Sequence, residues 1–184
     1  MSQSKRFEQT IPLGRIFLFQ DNPRHKPYET QVQVIEWLCD NEEVSQLARD
    51  IVQHGLSPLD RFGVIRDHET DGEDATYIAV EGNRRLCALK LLTDPDLAPP
   101  KQKAFFEKQA EIWVPITELP CVIFDDQDDL DLWLKRRHHG FAGGVGQKEW
   151  SADQKSRHRG VGSRNARALA FLDYAEQQNL ISAE

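Results

Sequence analysis

The feature that most constrains this chain is a strand that runs without a spacer into a helix. Thr76-Tyr77-Ile78-Ala79-Val80 is a short apolar run of β-favouring residues. Leu86, Ala88, Leu89, Leu91 and Leu92 are the apolar residues of a helix that stops near Asp94-Pro95. Between the two stands Glu81-Gly82-Asn83-Arg84-Arg85. A glycine at such a junction lets the backbone turn sharply and lets a ligand approach it closely. The amides of the first helical turn and the helix dipole attract an anion. Arg84 and Arg85 add charge-assisted donors, each worth about 1.5–3 kcal/mol to an ionised, partly desolvated partner. Consecutive helical arginines point in different directions, so one can face a ligand while the other faces Glu81, Asp67 or solvent. An ordinary helix start, capped by Asn83 and with both arginines solvated, fits the same spacing equally well.

The flanking sequence sets the fold around this junction. Arg15-Ile16-Phe17-Leu18-Phe19 reads as a first strand, ended by Asp21-Asn22-Pro23-Arg24. Thr30 is placed to cap a helix through Leu38 that buries Val34, Ile35 and Leu38. Asp40 and Glu43 have capping-box spacing before a second helix with Val44, Leu47, Ala48 and Ile51 inward and Gly55 at its end. Phe62-Gly63-Val64-Ile65 is a strand that pairs with Thr76–Val80 across a polar loop. Lys101 to Ile112 is expected to be a helix, Leu119 to Phe124 a strand, and Leu130 to Arg137 a helix with an acidic start. A glycine-rich loop and a last helix from about Ser163 to Gln178 complete the chain. The order predicts a mixed α/β (α+β) domain, a small sheet flanked by helices, over residues 8–146, with a helical extension over 147–184.

Composition narrows the function. The formal net charge of −7 argues against broad electrostatic coating of DNA, so any nucleic-acid contact must come from a local patch. No apolar run approaches the ~20 residues of a membrane span, and the start Met1-Ser2-Gln3-Ser4-Lys5-Arg6 shows no secretory signal, so a cytoplasmic protein is expected. Cys39, Cys87 and Cys121 stand far apart in apolar contexts. They are expected to be core residues, not a zinc site or a disulfide framework.

The segment Glu81-Gly82-Asn83-Arg84-Arg85-Leu86-Cys87-Ala88-Leu89-Lys90 resembles the arginine turn of the ParB/sulfiredoxin superfamily, in particular the ParB-like N-terminal (nuclease-like) domain. Asn22-Pro23-Arg24, Asp50 to Pro58, and Leu119 to Phe124 resemble further segments of that family, in its order, across roughly Ile11 to Gly140. The resemblance implies a nucleotide-binding fold. It implies that Gly82, Arg84 and Arg85, with Asn83 in the same turn, hold the triphosphate of CTP or ATP, with magnesium. The loop from Gly55 to Pro58, including Ser57, would approach the base or ribose. Two segments depart from the pattern. Ser57 stands where ParB proteins usually carry glutamine, and Lys135-Arg136-Arg137-His138-His139-Gly140 replaces their Glu-Asn-x-x-Arg signature. The base and the hydrolytic step are therefore left open. Sulfiredoxin chemistry is disfavoured, because its cysteine aligns with Asn83.

Arg137, His138, His139, Gly140, Gly143 and Gly144 form a second candidate site. Amides of a glycine-rich loop can build an anion-binding concavity, and a histidine can carry a proton near neutral pH. This loop is expected to fold against the Arg84 turn and close over the phosphates. Basic residues at a helix end followed by a flexible connector explain the same sequence without a ligand. Arg157, Arg159, Arg164 and Arg167 could touch DNA phosphates or form a solvated helix face. The leading function is nucleotide binding in a DNA-associated setting such as partition or mobile-element biology, with a homodimer an allowed assembly and no membrane partner. The alternatives are a nuclease or nucleotide-dependent kinase, with Glu81, His138 or His139 as acid–base groups and magnesium on Glu81 or an aspartate near Asp125, and a DNA-binding module without nucleotide chemistry.

Overall fold

The computed structural model describes residues 6–68, 70, 72–138, 140, 142–159 and 164–178. The chain divides into two compact units, Met1–Trp133 and Leu134–Glu184, and each is described by itself.

The first unit is built on a five-stranded mixed sheet of order β1-β5-β3-β4-β2. Its strands are β1 (Phe7–Pro12), β2 (Ile16–Leu18), β3 (Phe62–Arg66), β4 (Tyr77–Glu81) and β5 (Glu118–Phe124). β3 and β4 are antiparallel neighbours, as their short connection requires, whereas β2 joins β4 in parallel and β5 joins β3 in parallel. The expected first strand is thus only Ile16–Leu18, and β1 precedes it as an edge strand antiparallel to β5. Of β1 only Ile11 is buried, so the segment carries no alternation that its sequence could have advertised.

The helices are α1 (Gln31–Asn41), α2 (Val44–His54), α3 (Asn83–Thr93), α4 (Pro100–Ala110) and α5 (Gln127–His138), the last running on into the second unit. Thr30 caps α1 with a full capping box: its Oγ1 accepts from the Gln33 amide, and Gln33 Oε1 accepts from the Thr30 amide. The box expected from Asp40 and Glu43 does not form. Asp40 lies inside α1, and Glu43 is itself the residue before α2, in the left-handed region at φ 50° with no side-chain cap. The first helix runs one turn further than Leu38, because Cys39 still finds the core.

α3 is the central helix. Leu86, Cys87, Ala88, Leu89, Leu91 and Leu92 are all buried, so it is apolar nearly all round, as a helix enclosed by others must be. α1, α2 and α4 pack around it, and with the sheet residues Ile16, Leu18, Phe62, Val64, Ala79, Leu119 and Cys121 they make one core. All three cysteines are buried and free. Side chains alternate along β3, so Gly63 faces away from Phe62 and Val64. There α5 lays the buried Leu130, whose Cδ1 would lie 3.0 Å from a Cβ at Gly63. Arg6 holds the start of α5 through a bidentate pair with Asp129, at 2.7 and 3.1 Å, and its guanidinium stacks 4.7 Å from the Trp133 ring.

The second unit holds the end of α5, a short 3-10 turn at Ala142–Gly144, α6 (Ala152–Arg159) and α7 (Arg164–Gln177). The basic segment from Lys155 to Arg159 is helical, part of α6. No helix among the described residues is long and apolar enough to cross a membrane.

Candidate functional site

The strand–helix junction owes its shape to an irregularity in β4. Gly63 pairs with Glu81 but Val64 pairs with Ala79, so Val80 is an extra residue bulged out of the ladder. A bulge bends its strand and re-aims the residues after it. Here it delivers Glu81 and Gly82 into the start of α3. Gly82 is the residue before the helix, at φ 98°. A Cβ on it would stand 2.6 Å from Cδ1 of the fully buried Phe62. Both the left-handed backbone and the lack of space demand glycine. Gly82 also leaves the first turn of α3 without a side-chain cap, so its leading amides point outward with no side chain to receive them.

The next three side chains take three separate tasks. Asn83 is buried and its amide is committed to backbone: Oδ1 accepts from the Phe19 amide at 2.8 Å, and Nδ2 donates to the carbonyls of Ala79 and Val80. Asn83 is the clip that ties the bulge, the helix start and the segment after β2 together. The cap position expected for Asn83 is held by Gly82, and Asn83 is the first residue of the helix. Arg85 is also held by the protein. Its guanidinium lies 4.6 Å from the Phe62 ring centroid, donates to the Arg61 carbonyl at 3.1 Å and stands 3.6 Å from Glu81 Oε1. Glu81, the candidate base and metal ligand, is therefore part of an ion pair. Arg84 differs from both neighbours in that its side chain has no hydrogen bond or ion pair among the described residues; its Nε, like Nη1 of Arg85, is buried without a hydrogen-bond partner.

Arg84 lines a cavity of about 260 Å³. Its walls are Asn22 and Arg24 from the segment after β2, Leu38 of α1, Leu47 of α2, and the run from Val80 to Arg85. The wall thus combines an uncapped helix start, three arginines and an apolar side, a set suited to an anionic group attached to a less polar body. Asn22 and Arg24 were named in the sequence as a family-like segment but not as site residues. Asn22 is buried, and its Oδ1 accepts from the Arg24 amide at 3.0 Å, which turns the chain so that Arg24 reaches the cavity. Arg24 also pairs with Glu42, Nη1 to Oε2, at 2.6 Å.

Gly55 and Ser57 do not line this cavity. Gly55 ends α2 at φ 78°, eight residues beyond Leu47 and so about 12 Å further along the helix. Ser57 Oγ accepts from the exposed Leu59 amide at 3.3 Å. Further along the connection to β3, the Arg61 carbonyl accepts a hydrogen bond from Arg85 at the junction. No group of three or more His, Cys, Asp or Glu among the described residues is arranged to hold a metal ion.

In the second unit, Gly140, Gly143 and Gly144 all have positive φ, at 65°, 67° and 100°. The chain from Gly140 doubles back, and the Gln147 amide donates to the Arg136 carbonyl at 3.1 Å. Gly146 lies so close to the Gly140 carbonyl that a Cβ would not fit. The visible work of this loop is to close the carbonyl end of α5, next to the basic run Lys135 to His138. His139 lies outside the described residues, as do the side chains of Arg157, Arg159, Arg164 and Arg167. Trp150 packs edge-on to His158 at 4.7 Å.

No protein-family model matches this chain, and no curated protein matches it. Among solved structures the chain is similar to the C-terminally truncated chromosome-partitioning protein ParB from Caulobacter crescentus complexed with CTP-gamma-S, at 14% identity and a TM-score of 0.44. The match covers 83% of this chain and spans 60% of the length of that one.

Proposed function

We propose that the turn Gly82–Arg85 binds the phosphates of a nucleoside triphosphate, CTP or ATP, in a protein that works in a DNA-associated setting. The observation that carries this reading is Arg84. A guanidinium with a buried, unsatisfied Nε at an uncapped helix start is costly unless a charged partner completes it. The apolar wall of Leu38, Leu47 and Val80 suits the ribose or base beside the phosphates. The ligand class and the DNA setting are what the resemblance of the Glu81–Lys90 segment to ParB-like domains implies. Arg84 is the side-chain contact in this reading, the amides of the turn are the backbone contacts, and Gly82, Asn83 and Arg85 hold the shape. Glu81 pairs with Arg85, and no group of three or more His, Cys, Asp or Glu among the described residues is arranged to hold a metal, so in this reading a magnesium ion arrives bound to the phosphates.

The test is calorimetry with CTP, ATP and GTP, each with magnesium, on the wild type and on Arg84→Gln. Binding of at least one nucleotide is expected, weakened about tenfold or more in the variant. A folded wild type that binds none of them, or binding indifferent to Arg84→Gln, would overturn the proposal.

A further inference from the structure

Of the three arginines on the cavity wall, two are already matched by carboxylates. Arg85 faces Glu81, and Arg24 faces Glu42 across the shortest ion-pair distance of any pair described. Only Arg84 is unmatched. In this arrangement the cavity offers one uncompensated cation, enough for a single phosphate group. A di- or triphosphate brings more charge than that, and the Arg24–Glu42 pair is placed to change the count. Arg24 lines the cavity, whereas Glu42 does not. Glu42 closes α1, and the next residue, Glu43, has the only positive φ of a non-glycine residue among those described. The pair therefore ends on the two-residue break between α1 and α2, and each of these helices contributes a wall residue, Leu38 and Leu47.

We infer that Arg24 is a gated cation: Glu42 holds it in this structure, and a polyphosphate chain draws it off Glu42 onto its distal phosphate. This rests on the phosphate reading of the same cavity and adds to it the basis for selecting by chain length. Orthophosphate is served by Arg84 and the turn amides alone, while a triphosphate needs Arg24 as well. Releasing Glu42 also removes a tether from the break between α1 and α2, which links occupancy of the site to the geometry of its walls.

The experiment titrates orthophosphate, pyrophosphate and tripolyphosphate into the full chain and compares wild type with Glu42→Gln, Arg24→Gln and Arg84→Gln. Glu42→Gln removes the competitor for Arg24, so it is expected to tighten tripolyphosphate about five- to tenfold and orthophosphate less than about twofold. Arg24→Gln is expected to weaken tripolyphosphate about tenfold and leave orthophosphate nearly unchanged. Glu42→Asp keeps the charge and shortens its reach. It is the second variant at this position, expected to shift the same ratio in the same direction by less. Equal changes for all three anions, or looser tripolyphosphate binding in Glu42→Gln, would overturn the gate. Binding that needs Arg84 but ignores Glu42 and Arg24 removes the gate and leaves the site standing. No binding of any anion removes both.

Discussion

Arg84 and Arg85 are separated by about 100° of helix rotation, and that angle decides which of them is free for a ligand. Sequence reasoning could say that the two must differ. It could not say which way, because the answer depends on Phe62 and the Arg61 carbonyl, brought up by a strand that is distant in sequence. Arg85→Gln is expected to cost about 1–2 kcal/mol in urea denaturation, since it removes the hydrogen bond to the Arg61 carbonyl, an ion pair and a stacking contact. Arg84→Gln removes a buried, unsatisfied Nε, so it is expected to leave stability unchanged or raise it by up to about 1 kcal/mol while weakening anion binding. Equal destabilisation by both would contradict the division of tasks. Gly82 was legible as a turn glycine, but its second reason, the contact with Phe62, was not. Gly82→Ala combines a left-handed φ with a clash and is expected to destabilise by about 2–4 kcal/mol. A variant as stable as the wild type would show that the junction relaxes easily.

At the scale of elements, most local signals were read correctly, the Asp40–Glu43 box excepted, and what depended on distant partners was not. Thr30 at the start of α1, the periodic apolar residues of α2 and Gly55 at its end are local, and they stand where expected. The Thr30→Ala variant should lose about 1 kcal/mol of stability. An unchanged denaturation midpoint would mean that α1 is held by its packing alone. The bulge at Val80 is the opposite case. Val80 and Ala79 are both buried, a break in alternation that the sequence shows only as two apolar neighbours, yet this extra residue is what aims Glu81 and Gly82 at the cavity. β1 was missed for the same kind of reason: its identity as a strand comes from its register with β5.

Across the whole molecule, the core and the cavity belong to the same unit, and the cysteines report on that core. Burial pushes the Cys121 thiol up to about 12, and Cys87 is raised by its neighbour Cys39 as well as by burial. A thiol that stays protonated in the fold but ionises near its ordinary value when unfolded favours the fold at low pH. That contribution is complete below pH 9 and is lost as pH rises from there toward the folded values. Stability is therefore expected to fall between about pH 9 and 12, and all three thiols should resist alkylation at pH 8 until urea is added. Rapid labelling of the native protein would contradict their burial. The glycine-rich segment was legible as a loop, but its closure onto the Arg136 carbonyl was not, because glycine runs do not encode where they return. The most direct measurement of the central claim is an amide NMR titration of the full chain with a nucleoside triphosphate. The account predicts the largest shifts at Gly82, Asn83, Arg84 and Arg85, with a second group at Asn22 and Arg24. Shifts confined to other residues, or none at saturating nucleotide, would contradict it.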